Sequence, residues 1–307
     1  MSKIIKNRLV AFLITGVVLL ACSCSHGEEQ PVPELEAVEP EPQEKSRDEI
    51  SILFTGNMLG GAKTQKDLKA VEDRAAELKN SGVRVDIVDC GNFTGAQKDP
   101  EDAEKTVKAM AGAGYSHVVI GDGEFSFGTD GLRRLIDAGG PAFMSCNFRY
   151  SGFGEDMTAS VARFDVVELG NVRVGYVALT DTGILERRKE DLIEDGRVAY
   201  TFCGRSSAYL ADTVQACSDM CRNEGADCVV VLSNFLQSDL FGLTDIVGQT
   251  HDIDAFLCVN SDGSEAVRAD ICNGQNTEVP LAIAKGGVGS FGELKISGDG
   301  AVSVSFV

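Results

Sequence analysis

The chain has 307 residues and a net charge of −19, from 28 Lys and Arg against 47 Asp and Glu. That balance excludes a basic stripe for nucleic acid or anionic lipid head groups. It also works against phosphate-bearing substrates unless a local cation overrides the field.

Residues 1–22 read as an export signal. Lys3, Lys6 and Arg8 form a basic start, Leu9 to Leu20 is an apolar run, and Leu19-Leu20-Ala21-Cys22 matches a bacterial lipobox. The apolar run is shorter than the ~20 residues a membrane span needs. The match implies cleavage before Cys22, lipidation of its sulfur and, with Ser23 following, the periplasmic face of the outer membrane. Residues 23–49 hold four of the seven prolines and eight Glu. Such a stretch cannot bury enough surface to offset its ordering entropy. It reads as a disordered tether that could hold a domain about 80 Å from a membrane.

Residues 50–307 are long enough for one large domain. The pattern predicts a strand at Ile50–Phe54, a helix at Gln65–Lys79, a strand at Val85–Asp89 and a helix at Glu101–Ala113. A strand at His117–Ile120, a helix at Thr129–Ala138 and a strand at Ala142–Cys146 complete the first half. Val161–Leu169 and Val172–Thr180 read as a hairpin turning at Gly170-Asn171. Then follow a helix at Ser207–Arg222 and strands at Cys228–Ser233, Ala255–Val259, Leu281–Lys285 and Glu293–Ser297. Strands alternating with helices argue for an α/β domain with mixed sheets. Asn57, Asn92, Asp122, Asn234 and Asn260 all follow strand ends, where an open α/β sheet forms its crevice.

Three segments carry a more specific signal. Ile52-Leu53-Phe54-Thr55-Gly56-Asn57-Met58-Leu59-Gly60, Asp89-Cys90-Gly91-Asn92-Phe93-Thr94-Gly95 and Gly121-Asp122-Gly123-Glu124-Phe125-Ser126-Phe127-Gly128 resemble HTNDMHG, DAGDxxxG and GNHEFDFG. These are motifs of the 5′-nucleotidase (UDP-sugar hydrolase) branch of the calcineurin-like metallophosphoesterases. Gly112-Ala113-Gly114-Tyr115 and Val174–Thr180 are similar to further family segments, NALGYD and VGVIGLT. Val259-Asn260-Ser261-Asp262-Gly263 stands where the family has GGHSHT. The resemblance covers residues 50–307 and the family's N-terminal phosphoesterase domain only. It implies a four-layered αββα sandwich.

It also implies a site whose metal ligands have been substituted. The family holds two divalent ions through carboxylates, an amide and imidazoles. On its pattern Asn57 and Leu59 replace Asp and His, Asn92 replaces the bridging Asp, and Asp122 and Gly123 replace Asn and the catalytic His. Asn234, Asn260 and Asp262 stand for the remaining His positions, while His26, His117 and His251 fall outside the motifs. Two dications ~3.7 Å apart repel by roughly 18 kcal/mol at an effective dielectric of 20. The neutral Asn92 cannot bridge them as a carboxylate would, and Gly123 cannot protonate a leaving group. No cofactor is therefore expected. The oxygen donors Asn57, Asn92, Asp122, Asn234, Asn260 and Asp262 leave one alternative open, a single Ca²⁺ or Mg²⁺. The other is a polar cleft without metal.

Eight further cysteines follow Cys22 and Cys24. An even number in an exported domain is compatible with disulfides. Cys217 and Cys221 share a helical face, Cys203 lies upstream and Cys228 opens the next strand, a region where two disulfides, or a metal–thiolate site, would fit. Cys90 and Cys258 each lie two residues before a former ligand position, and residues two apart in a strand share a face. With Cys146 they make a candidate thiol pair at the cleft floor, against the alternative of buried hydrophobes. Cys272 has no evident partner.

The reading is thus a lipid-anchored cell-envelope protein, non-hydrolytic, binding a small molecule or an envelope protein and no nucleic acid. The alternatives are a thiol-dependent redox protein and a divergent metal-dependent phosphohydrolase.

Overall fold

Ile50, Ile52 and Phe54 enter one core while Leu53 between them enters another. This is the two-residue period of a strand buried on both faces. The computed structural model describes residues 47–58, 68–95, 97–151, 157–204, 206–235, 240–260, 264–287 and 289–307. Cys22, the tether through residue 46, the first residues of the expected helix at Gln65–Lys79, Leu59 and Asp262 lie outside the described residues.

In chain order the first elements are β1 (Ile50–Thr55), α1 (Lys69–Asn80), β2 (Arg84–Asp89), α2 (Pro100–Ala113) and β3 (Tyr115–Val119). Then come α3 (Gly128–Asp137), β4 (Ala142–Met144), β5 (Phe148–Tyr150), β6 (Phe164–Leu169), β7 (Val172–Leu179) and α4 (Ile184–Arg187). They are followed by β8 (Ile193–Glu194), β9 (Arg197–Val198), β10 (Tyr200–Phe202), α5 (Ser207–Asn223), β11 (Cys228–Ser233) and α6 (Leu240–Gln249). The closing strands are β12 (Ala255–Val259), β13 (Val267–Cys272), β14 (Glu278–Ala284), β15 (Gly292–Ile296) and β16 (Val302–Phe306).

Two six-stranded mixed sheets result, ordered β16-β15-β1-β2-β3-β4 and β13-β14-β12-β11-β7-β6. Each has four adjacent parallel strands, with antiparallel strands at one or both edges. Between the sheets lies a core that includes Ile52, Phe54, Val88, Tyr176, Val230 and Leu257. A second core joins the first sheet to α1, α2 and α3, and a third joins the second sheet to α5 and α6. The architecture is the four-layered αββα sandwich.

Local chemistry sets the helix ends. The Asp99 side chain caps α2 by accepting from the Glu101 N–H, Pro100 takes the first turn, and Gly114 ends the helix in the left-handed region at φ 88°. Ser206 caps α5 through the Tyr209 N–H. The hairpin of β6 and β7 turns at Gly170-Asn171 as expected, with Gly170 at φ 68°.

Several boundaries differ from the sequence reading. β6 begins at Phe164 rather than Val161, because Ala162 pairs with Met144 of the first sheet and accepts the Ser145 N–H at 2.8 Å. The same chain therefore crosses from one sheet edge to the other. β14 begins at Glu278, three residues before the expected start. The sequence reading missed α6, β13 and the β5–β10 pair.

Candidate functional site

The ends of β1, β2, β3, β7, β11 and β12 bring Asn57, Asn92, Asp122, Asp181, Asn234 and Asn260 to one end of the two sheets. Asn57 and Asn92 adopt left-handed backbone at φ 49° and 62°, a conformation Asn tolerates better than most residues. Gly91 before Asn92 is at φ 98°, and a Cβ there would meet the Val119 carbonyl oxygen at 2.7 Å. Only glycine lets the loop after β2 lie this close to β3.

The amides form a connected network. Asn57 Nδ2 donates to the Val259 carbonyl at 2.8 Å, and Asn92 Nδ2 donates to Asn57 Oδ1 at 2.7 Å. Asn92 Oδ1 in turn accepts the Gly123 N–H at 2.8 Å. Asn234 Nδ2 donates to the Ile120 carbonyl and Asn234 Oδ1 accepts the Asp181 N–H, both at 2.8 Å. Asn260 Nδ2 donates to the carbonyls of Ser264 and Glu265 at 3.3 and 3.1 Å.

Asp122 is engaged differently. Arg187, at the end of α4, donates Nε and Nη2 to the two Asp122 oxygens at 2.8 and 2.9 Å. The same Nη2 also reaches Asp181 Oδ2. Asp181 is nearly buried and Arg187 about one-third exposed, so the guanidinium is partly removed from water. The Asp122 hydrogen bond, foremost, raises the Arg187 pKa above its ordinary value. One fixed organic cation thus bridges two carboxylates from different strand ends.

Glu124 holds the loops around this arrangement. Its buried carboxylate accepts the N–H groups of Asn92, Gly121 and Thr94 at 3.0, 2.7 and 3.0 Å, and the Thr94 hydroxyl at 2.9 Å. Burial pushes its pKa up, opposed by these hydrogen bonds. Beneath it, Phe125 packs edge-on against Tyr200 and Phe202, with centroids 5.2 and 5.6 Å apart. The β5–β10 pair therefore anchors the turn that carries Asp122 and Gly123. Asp89, buried beside Thr55 Oγ1 (2.6 Å) and the Gly91 N–H (2.7 Å), has its pKa pushed up to about 7, chiefly by burial.

These residues do not fit a dimetal centre. The oxygens of Asn57, Asn92 and Asn234 each accept an N–H, and both Asp122 oxygens face the guanidinium. Among the described residues no group of three or more His, Cys, Asp or Glu is arranged to hold a metal ion. At Gly123, a Cβ would lie 2.4 Å from the Gly95 nitrogen, 2.6 Å from Thr94 Oγ1 and 2.8 Å from Asn92 Oδ1. The volume a side chain would need there is filled by the neighbouring loop.

The other sequence candidates scatter. His117 is buried near the sheet interface, its Nε2 2.9 Å from Asp165 and its Nδ1 2.8 Å from Ser116. His251 pairs with Asp252. All eight described cysteines are free thiols, so the two disulfides expected among Cys203, Cys217, Cys221 and Cys228 are not formed. Cys90 and Cys258 do not share a cleft floor. Cys90 lies in the core between the sheets, 3.6 Å from the Leu257 carbonyl, while Cys258 lies in the outer core, 3.2 Å from the Phe235 carbonyl. The alternation rule fails here because β2 ends at Asp89 and the next residues turn through positive φ. Cys272 is exposed on the edge strand β13.

The arrangement has solved counterparts. NAD nucleotidase from Haemophilus influenzae superposes with a TM-score of 0.63 at 14% identity, over 84% of this chain and 49% of that one. The 5′-nucleotidase precursor of Thermus thermophilus gives 0.62 at 14%, over 84% and 54%. The calcineurin-like phosphoesterase YfkN of Bacillus subtilis gives 0.61 at 15%, over 84% and 90%. The fold is that of the 5′-nucleotidase metallophosphoesterases. This chain spans about half the length of the two nucleotidases. The sequence matches no protein-family model and no curated protein. At these identities the likeness speaks for the metallophosphoesterase fold, and the chemistry has to be read from this chain's own side chains.

Of the residues that build the site, Asp181, Arg187 and Glu124 escaped the sequence reading. Glu124 sits inside a quoted motif, and Asp181 directly follows the Val174–Thr180 segment. Arg187 has no comparable signal, standing among Glu186, Arg188, Lys189 and Glu190.

Proposed function

We propose that this chain is a lipid-anchored envelope protein whose metallophosphoesterase-fold domain binds a small molecule or a protein partner without hydrolysing it. The observation that carries the reading is the Arg187 guanidinium held between Asp122 and Asp181. Where the fold family's resemblance calls for divalent cations, the chain supplies a fixed positive group. An arginine neutralises carboxylates but cannot generate a metal-bound hydroxide nucleophile. The surrounding amides hydrogen-bond one another, and the Gly123 position has no room for a general acid. Anchoring through Cys22 rests on the sequence alone.

The alternatives are less well supported. Thiol chemistry at the cleft needs an accessible thiol of low pKa, whereas burial pushes the Cys90 thiol well above its ordinary value. A divergent hydrolase would need ligands free of the hydrogen bonds described above.

The test is elemental analysis of the purified protein grown in metal-replete medium, with phosphate release from nucleotides assayed under added Mg²⁺, Mn²⁺, Zn²⁺ and Ca²⁺. Less than 0.1 metal per chain (about a tenth of one site) and no metal-stimulated release support the reading. Stoichiometric metal with turnover overturns it. Labelled palmitate tests the anchor, with incorporation expected in the wild type and lost in Cys22→Ser.

A further inference from the structure

Helix α5 lays Leu210, Val214, Cys217 and Cys221 onto the outer face of β7. Cys146 reaches the same place from the other side of the molecule. Just past β4 the chain leaves the first sheet, and the Cys146 N–H donates to the Ala178 carbonyl of β7 at 2.7 Å. Cys146 and Cys217 are both fully buried in the core under α5, and their thiols hydrogen-bond each other.

Two arginines flank the pair. Arg163 hydrogen-bonds the Cys217 sulfur, and Arg149 adds a second positive charge nearby. Arg149 is fixed there through its Nη1, which donates to the Cys146 carbonyl at 3.4 Å and the Phe148 carbonyl at 2.6 Å. The Nε of Arg163 is buried without an acceptor, which leaves the local field positive. The two sulfurs are therefore unequal. The hydrogen bond from Cys146, then the arginines, bring the Cys217 pKa down to about 7, while that of Cys146 is raised by the same hydrogen bond and by burial.

We propose that Cys146 and Cys217 are a redox pair, converted to an intramolecular disulfide by exchange with a disulfide of the glutathione class. The Cys217 thiol gives up its proton and the thiolate attacks one sulfur of the incoming disulfide. The bond between the two incoming sulfurs breaks, a mixed disulfide forms on Cys217, and the released thiolate takes up the proton. Cys146 then attacks Cys217 Sγ and expels the second thiolate, which takes the Cys146 proton. Two protein thiols are oxidised to one cystine and one disulfide is reduced to two thiols.

No other pair is set up this way. Cys221, one turn further along α5, points its sulfur over Gly175 and toward the Tyr176 carbonyl at 3.9 Å. Cys90 and Cys258 lie in different cores. The bond would tie α5 to the segment between β4 and β5, fastening the helix layer of the second sheet to chain emerging from the first. Because both sulfurs are buried, exchange proceeds through local opening and is slow in the native protein.

The test uses the full purified chain, incubated with increasing ratios of oxidised to reduced glutathione, then alkylated and mapped by peptide mass spectrometry. The expected result is a Cys146–Cys217 linked peptide, with two alkylatable thiols lost. The melting temperature should fall by about 5–10 °C on reduction. Cys221→Ser should keep the linked peptide and Cys217→Ser should lose it. The absence of that peptide in the wild-type chain overturns the proposal, as does a dominant link between any other two cysteines. Both results are read on the unmodified protein, so they do not depend on a variant folding.

Discussion

Arg187 grips Asp122 through both carboxylate oxygens, at 2.8 and 2.9 Å, across 65 residues of sequence. A bidentate fork of this kind fixes direction as well as charge. Asp122 stands at the end of β3, on the position the family resemblance assigns to a metal ligand. The extension of the same guanidinium to Asp181 joins the two sheets at their loop ends, since Asp181 follows β7. A metal and an arginine can both hold carboxylates together, but only the arginine is covalently part of the chain. The fold therefore keeps a cross-sheet electrostatic clasp that needs no ion.

Removing that clasp should expose the carboxylates to each other. Arg187→Ala leaves Asp122 and the nearly buried Asp181 without their cation, and should cost about 1–3 kcal/mol of unfolding free energy, between exposed and buried pair values. Urea denaturation would measure it. The variant should also gain what the wild type lacks, a rise in stability on adding millimolar Ca²⁺, as a hard cation enters the oxygen donors. Equal Ca²⁺ responses in both proteins would show that Arg187 is not holding the place of a cation.

Asp89 gives the protein a pH dependence of defined sign. Its pKa is raised from an ordinary 3.8 to about 7 in the folded chain, so the folded state holds a proton that the unfolded state has lost. Its contribution is fully present below pH ~4 and is lost as pH rises through about 7. Asp89→Asn mimics the protonated acid, and should flatten the fall in stability between pH 4.5 and 7 by up to ~1 kcal/mol per pH unit. Glu124 and Asp254, also raised by burial, act in the same direction, so some slope remains. An unchanged slope in the variant would place the effect elsewhere.

The sheets were legible because both faces of their strands are buried. Cys228–Ser233 and Ala255–Val259 are continuous apolar runs, and the sequence reading places both strands at their observed bounds. The positions of Asn57, Asn92 and Asn260 followed from those strand ends. What did not follow was anything decided by contacts between distant segments. Arg187 and Arg188 are indistinguishable by local pattern, and only the approach of α4 to the end of β3 selects Arg187. Phe148 and Phe202 sit in three-residue strands too short to show a period, yet their rings support the turn carrying Asp122. The side-chain direction of Cys90 depended on positive φ at Gly91 and Asn92, which alternation does not anticipate.

Glu124 is the acceptor on which three loop N–H groups converge. Glu124→Gln preserves shape but converts one oxygen into an NH₂. If that group faces Thr94, it opposes a backbone N–H and a hydroxyl, and if it faces Gly121 and Asn92 it opposes two backbone N–H groups. Either orientation leaves buried donors without acceptors, at about 1–3 kcal/mol each. The variant should lose about 2–4 kcal/mol in urea unfolding. Amide hydrogen exchange should speed up at residues 92–94 and 121 before the rest of the sheet. A stability within 0.5 kcal/mol of wild type, the range of an ordinary surface change, would mean that the convergence is not structural.

Gly123 separates two accounts of how the site came to differ from its family's pattern. If substitutions alone emptied it, a side chain returned to position 123 would find its old space. The structure says otherwise, because a Cβ there meets the Gly95 nitrogen at 2.4 Å and Asn92 Oδ1 at 2.8 Å. Backbone cannot yield as the end of a flexible side chain can, so Gly123→Ala should destabilise the chain by about 2–4 kcal/mol through overpacking. Gly123→His combined with Asn92→Asp should give no metal-stimulated phosphate release, although it restores two family residue types. Thermal denaturation of the alanine variant checks the first claim and a nucleotide hydrolysis assay of the double variant checks the second. A stable alanine variant, or a hydrolysing double variant, would mean that the loop around Asn92 opens readily and that the loss of chemistry lies in the side chains alone.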